Sequence, residues 1–273
     1  MADDVISLDT CEDIRKIYDD IFLEEIKKYD KDNMPDGQIF RKESVSVYSA
    51  TEKEIHHGLM PESNIIDVMS KSLAFLHNDD VEELLRIAVF HYLFGYIHPF
   101  YDGNGRTSRF ISSYLLSKQL NHIIGYRISY TIKENIKEYY KAFKVCNDPL
   151  NKGDLTSFVE MFLNIIDISA KQLSNALASR VQSLNNLENS IKLLPHGNEV
   201  KYAGLYDLLI QASLFADSGI STTELCEMLD VVPATLRTRI NSIPKGLIKS
   251  VKDGNTNYYS LNVSEIEKYV NQI

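Results

Sequence analysis

His98-Pro99-Phe100-Tyr101-Asp102-Gly103-Asn104-Gly105-Arg106-Thr107-Ser108-Arg109 is the stretch on which the reading of this chain turns. It brings a titratable base, a carboxylate, a Gly-Asn-Gly turn and two arginines into one short run. Gly103 and Gly105 permit backbone angles that other residues avoid and let the chain approach a ligand closely. At the start of a helix, such a turn aims successive N–H groups at one point and makes an anion-binding nest, reinforced by the partial positive charge of the helix end. Arg106 and Arg109, three residues apart, fall on one helix face, where each can fork onto phosphate oxygens. Asp102, just before the nest, is placed to hold a Mg²⁺ that bridges phosphates. His98 lies just outside the nest, and a neutral imidazole there can accept a proton from an incoming hydroxyl.

Working outward, the flanks of this run predict a mostly α fold. Pro99 disfavours helix in the residue before it, so a helix through Leu84, Ile87, Ala88, His91 and Leu93 should stop near Ile97. That helix is expected to start after Asn78-Asp79, with Glu82 as capping-box partner of Asp79. Another helix is expected from Arg106 onward, through Phe110, Ile111, Tyr114 and Leu115. Thr131-x-x-Glu134 has the capping-box pattern and predicts the start of a further helix through Tyr139, Tyr140 and Phe143. Asp154 is a cap for a long helix reaching about Leu193. Upstream, Ile14, Ile17, Tyr18, Ile21 and Phe22 recur at helical spacing within 9–30, with Thr10 or Asp9 as cap, and Pro61 opens a helix to about His77. Residues 41–58, with Val45, Val47 and Ile55 among polar residues, predict a short exposed hairpin.

The spacing of Pro195, Gly197 and Gly204 marks a linker at 194–204. This divides the chain into residues 1–193 and 194–273. Beyond the linker, helical patterns at 201–216, 221–229 and 233–243 precede two apolar stretches around an Asp253-Gly254-Asn255 turn. Three helices and a hairpin resemble a winged helix-turn-helix.

Composition bounds the function. The 273 residues are 44% hydrophobic and 25% charged, which suits one large soluble domain or two smaller ones. The net charge of −9 argues against a protein that coats nucleic acid nonspecifically. Cys11, Cys146 and Cys226 are odd in number and lack metal-ligand spacing, as expected of reduced thiols. No run approaches the length of a membrane span, and Met1-Ala2-Asp3-Asp4 lacks the basic and apolar regions of a signal peptide. A cytoplasmic location is expected.

The 98–109 run resembles the signature of the Fic family, His-x-Phe-x-(Asp/Glu)-Gly-Asn-Gly-Arg-x-x-Arg, at every fixed position. With average residue usage, a chance match has odds on the order of 10⁻⁸. The resemblance covers roughly residues 40–170 and implies a nucleotidyltransferase that moves AMP from Mg-ATP to a Ser, Thr or Tyr hydroxyl of a protein, or of itself. It implies His98 as general base, Asp102 as Mg²⁺ ligand, and Gly103, Asn104 and Gly105 as the anion hole for the α-phosphate. Arg106 and Arg109 would meet the β- and γ-phosphates, and Phe100 would anchor the loop. Asp102 departs from Doc-like kinases, which carry Lys there, and Gly103 departs from a phosphocholine-transferring relative, which carries Ala. The 41–58 hairpin is positioned like the family's flap, which pairs with the target segment, and Tyr139 and Tyr140 are placed to wall an adenine. The family's inhibitory motif, (Ser/Thr)-x-x-x-Glu-(Gly/Asn), has no strict match: Thr156-x-x-x-Glu160 and Thr223-x-x-x-Glu227 are each followed by Met.

Simpler readings stand beside these. Arg109 is also suited to a structural ion pair, His56-His57 to an exposed turn, His91 to a satisfied core position, and Tyr139 and Tyr140 to core packing. Thr235, Arg237, Arg239, Lys245, Lys249 and Lys252 offer contacts to DNA phosphates through residues 221–260. Glu224, Glu227, Asp230 and Asp253 dilute that field, leaving protein interaction or homo-oligomerisation an equal expectation. The rival to an enzyme is a DNA-binding regulator whose Fic-like core senses nucleotide or mediates assembly. Removal of AMP from a modified protein would use the same site.

Overall fold

The computed structural model describes residues 6–48 and 54–272. The first five residues, the middle of the expected hairpin at 49–53, and Ile273 lie outside that description. The chain divides into two compact units, Met1–Leu173 and Ser174–Ile273, so the division falls inside a helix, twenty residues before the Pro/Gly-rich stretch expected to mark it.

Among the described residues, the first unit's regular structure is helical apart from one small hairpin. Thr10 caps α1 (Cys11–Tyr18) through a capping box with Asp13, and Cys11, Ile14, Ile17 and Tyr18 turn inward. A π-helical stretch (Asp19–Leu23) leads into α2 (Glu24–Tyr29). Strands β1 (Ser46–Tyr48) and β2 (Glu54–His57) pair antiparallel, so the expected hairpin forms. α3 (Glu62–Leu76) follows. The Glu62 side chain accepts from the backbone N–H groups of Gln38, Ile39 and Phe40, fixing the segment that leads to the hairpin.

α4 (Glu83–Ile97) ends where Pro99 requires. Its expected capping box does not form: Asp79 pairs instead with Arg86 at 3.0 Å, and Glu82 takes the cap position without a side-chain bond. α5 (Asn104–Gln119) starts two residues earlier than expected, directly on Gly103. α6 (His122–Glu134) is capped by Asn121, and α7 (Ile136–Cys146) begins after Asn135. Thr131 therefore starts no helix. It is buried near the end of α6, where its hydroxyl donates to Arg127 O and accepts from Ser169. Asp154 caps α8 (Thr156–Ile191) through the Thr156 N–H, as expected.

The core of this unit gathers Ile14, Ile65, Met69, Phe90, Phe94, Phe158 and Phe162 around α4. Phe100 is fully buried, stacked on Tyr18 at 3.7 Å and edge-on to Phe40 at 5.5 Å. These rings seat the loop between α4 and α5.

The second unit contains α9 (Val200–Phe215), β3 (Ile220–Ser221), α10 (Thr222–Leu229), α11 (Pro233–Ser242), β4 (Ile248–Asp253), β5 (Thr256–Leu261) and α12 (Val263–Val270). Its antiparallel sheet has the order β3-β5-β4. The expected turn joins β4 to β5, with Gly254 at φ 58°. The short β3 and the closing α12 had no separate signal in the sequence. Leu187 and Ile191 from the end of α8 join Leu205, Leu209, Leu225, Leu236 and Ile266 in this core.

Removing a ring from the loop seat should be costly. Phe100→Ala is expected to lower the unfolding free energy by about 3–5 kcal/mol, measured by urea denaturation. A loss below about 1 kcal/mol would mean that the ring does not hold the loop.

Candidate functional site

The α4–α5 connection is built by its own residues. The Asn104 side chain accepts from Phe100 N at 2.9 Å and donates to Phe100 O at 2.7 Å, closing the loop on itself. Gly103 sits at φ 81°, and a Cβ there would come within 3.0 Å of the Tyr18 ring, so both conformation and space call for glycine. The first backbone bond of α5 runs from Thr107 N to Gly103 O at 2.9 Å. The N–H groups of Asn104, Gly105 and Arg106 precede it and are the orphan donors of the helix start.

A cavity of about 190 Å³ opens beside this helix start. His98, Asn104, Gly105, Ser108 and Arg109 form one side of it, and Tyr139, Tyr140, Phe143, Lys144 and Asn147 from α7 form another. Val47 and His56 of the hairpin complete its rim. One side thus offers the helix start and Arg109, and the other carries three aromatic rings together with Lys144 and Asn147.

His98 takes a left-handed conformation at φ 52° and ψ 63°. Its Nδ1 lies 3.4 Å from Gly95 O. A carbonyl only accepts, so Nδ1 carries the hydrogen and Nε2 keeps its lone pair. Burial pushes its pKa down to about 4, aided by His56 and Arg41 and opposed by the Gly95 carbonyl and Asp102. The ring is neutral near pH 7, the state a proton acceptor needs.

The two arginines part company. Arg109 lines the cavity and makes no ion pair among the described residues. Arg106 is not among the lining residues. Its Nη1 bridges both oxygens of Glu25 at 2.9 and 2.8 Å, and its Nη2 meets Asp102 at 3.0 Å. Its guanidinium lies 4.8 Å from the Phe22 ring centroid. Asp102, too, lies outside the lining and is half-exposed. No group of three or more His, Cys, Asp or Glu suited to a metal occurs among the described residues. A single carboxylate beside an anion nest fits an ion carried in on phosphates, since Mg²⁺ typically takes one or two carboxylates plus substrate oxygens; it does not fit an all-protein cage.

His91 is the satisfied core histidine of the simpler reading. It bonds Ser112 at 2.7 Å and Tyr139 at 2.8 Å, and burial holds its pKa at about 3. Tyr139 is thereby both core and cavity wall, while Tyr140 is half-exposed. The His56-His57 pair is a strand, not an exposed turn. His56 bonds Tyr96 O at 2.6 Å and faces the cavity, while His57 bonds Ser44 and Ser46. Lys144 and Asn147 carried no expectation from the sequence, and His56 was expected in an exposed turn rather than at a cavity. The alternation of strand faces and the helical spacing Tyr140-Lys144-Asn147 were the available signals.

The Fic/DOC family model matches residues 8–116. Curated relatives include protein adenylyltransferase Fic of Drosophila virilis, 29% identical over 127 residues, which are 44% of this chain and 24% of that protein. Protein adenylyltransferase fic-1 of Caenorhabditis elegans is 28% identical over 120 residues, 44% of this chain and 22% of that protein. Protein adenylyltransferase Fic of Drosophila melanogaster is 34% identical over 97 residues, 36% of this chain and 17% of that protein. The matches thus span a quarter or less of these relatives' length. Among solved structures, a Fic family protein from Desulfovibrio desulfuricans G20 shares the fold at a TM-score of 0.55 and 19% identity, over 94% of this chain and 70% of that one.

His91 and His98 make the fold acid-sensitive. Both have folded-state pKa values below the ordinary 6.5, so the unfolded chain binds their protons first. Their contribution to stability is present above pH 6.5 and is lost progressively as the pH falls through about 4. Urea titrations between pH 7 and 4 should show this decline, shallower in His98→Asn; equal slopes for the two proteins would contradict it.

Proposed function

We propose that this chain, whose residues 8–116 carry a Fic domain, is a protein adenylyltransferase. It moves AMP from ATP to a Ser, Thr or Tyr hydroxyl of a protein target or of itself. The observation that carries this reading is the neutral His98, whose Nε2 keeps its lone pair, beside a helix start and an Arg109 that makes no ion pair among the described residues.

The triphosphate fits the side of the cavity at the helix start. The N–H groups of Asn104, Gly105 and Arg106 serve the α-phosphate, and the arginines serve the β- and γ-phosphates. Asn104 contributes only its backbone, because its side chain is spent on Phe100. The other side, with Tyr139, Tyr140 and Phe143, suits a purine face. The target hydroxyl loses its proton to His98 Nε2 as its oxygen bonds to the α-phosphorus. The bond from that phosphorus to the bridging oxygen breaks, and pyrophosphate leaves. Asp102 would hold a Mg²⁺, which when bound supplies charge neutralisation to the phosphates. The β1–β2 hairpin offers an edge on which an extended target segment can pair.

For the second unit, the order of three helices, a β4–β5 hairpin and a third short strand supports a winged helix-turn-helix. Arg237 and Arg239 on α11 and Lys249 and Lys252 on β4 are the basic groups that would meet a DNA backbone. No helix among the described residues is long and apolar enough to cross a membrane.

Incubation with Mg²⁺ and α-labelled ATP, read by intact mass, tests the reading. An AMP adduct is expected, reduced about 10²- to 10⁴-fold in rate by His98→Ala, with ATP binding retained. An adduct that survives the substitution undiminished would remove His98 from the chemistry. Nucleotide must also win Arg106 from Glu25, a half-exposed pair of modest strength. Glu25→Gln is therefore expected to lower the KM for ATP by about two- to five-fold, and an unchanged KM would show that Arg106 is not recruited.

A further inference from the structure

Arg41 is the largest fully buried side chain among the described residues, and none of them supplies it a carboxylate. It spends its donors on three carbonyls: Nε on His98 O at 2.9 Å, Nη1 on Glu43 O at 2.6 Å and Nη2 on Leu59 O at 2.9 Å. Glu43 lies just before β1, Leu59 just after β2, and His98 at the head of the α4–α5 loop. A buried cation without a counter-ion is expensive, and burial lowers its pKa. Such a group persists where its bonds fix something.

Neighbouring contacts converge on the same knot. Gly58 N donates to Val45 O at 3.0 Å and Leu59 N to Ile97 O at 3.1 Å. The Tyr101 hydroxyl donates to Asp36 and accepts from Glu43 N, both at 2.9 Å. A Cβ on Gly58 would lie 2.4 Å from Arg41 Nη2 and 3.1 Å from His98 Cβ, so the guanidinium, the hairpin end and His98 meet without spare room. His98 itself holds a left-handed conformation that a non-glycine residue keeps only when its surroundings over-determine it.

We propose that Arg41 is a positioning residue that locks both ends of the β1–β2 hairpin and the backbone of His98 into one unit, so that a segment docked on the hairpin meets the imidazole in register. Its catalytic consequence rests on the transferase reading; its structural consequence does not. Lysine can reach one or two of the three carbonyls but not all in their planar fork.

The test compares wild type with Arg41→Lys and Gly58→Ala, the second crowding the guanidinium without removing it. Imidazole NMR reads His98 against His91, which is buried in the same unit and reports general loosening, and hydrogen exchange reads residues 43–48 and 56–59. Both variants are expected to shift the His98 signal and speed exchange in the hairpin while His91 stays put. AMP transfer, normalised to the stoichiometry of ATP binding, is expected to fall about 10- to 100-fold, with the ATP dissociation constant unchanged. A His98 signal and hairpin exchange identical to wild type, or a shift shared equally with His91, overturns the proposal. If wild type itself transfers no AMP, the transferase reading fails, and the NMR and exchange data still decide whether Arg41 couples hairpin to histidine.

Discussion

The two hydrogen bonds between the Asn104 side chain and the Phe100 backbone are the constraint on which the site depends. They draw the start of α5 back onto the loop, so that Gly103 must take a positive φ and the next N–H groups emerge together. Phe100, held at the other end of those bonds, is pinned between Tyr18 and Phe40. The loop is therefore fixed from inside the core. Both halves of the arrangement, a seated ring and a free helix end, follow from one amide.

Much of this was legible because its causes are local. Pro99 stops α4 whatever packs around it, and a Gly-Asn-Gly turn before a helical pattern specifies a free helix end. Thr10 and Asp154 cap as short-range chemistry dictates. The failures are also local rules, overruled by distant partners. Thr131-x-x-Glu134 has the spacing of a capping box, but the Thr131 hydroxyl finds Ser169 thirty-eight residues on and the helix runs through. Asp79 had the spacing to cap α4 and was taken by Arg86. Arg41 gave no signal, since its three partners are backbone carbonyls brought together only by folding. The division at Leu173/Ser174 was hidden for a similar reason: α8 continues through it without any breaker residue, so composition marks the later Pro/Gly stretch instead.

Helical spacing alone gave Arg106 and Arg109 one role, and the structure separates them. Three residues is close to, but not, a full turn, and the difference is enough to give each arginine its own surroundings. Arg109 reaches the cavity. Arg106 lies over Phe22 and between two carboxylates. His98 is neutral near pH 7, with its tautomer set by Gly95. Of the two guanidiniums, Arg106 is paired with two carboxylates and Arg109 makes no ion pair among the described residues.

That asymmetry has a physical logic. A neutral imidazole brings no net charge into a buried place, whereas two unpaired guanidiniums beside an N-terminal helix dipole would repel each other and the dipole. Pairing Arg106 with Glu25 and Asp102 relieves this, and because both carboxylates are half-exposed the pairing is weak enough to exchange. In the proposed reaction, polyphosphate oxygens would replace the carboxylates around Arg106, and Asp102 would then face a cation. The bonds that Asn104 makes to Phe100 and Arg41 makes to His98 are separate from these ion pairs.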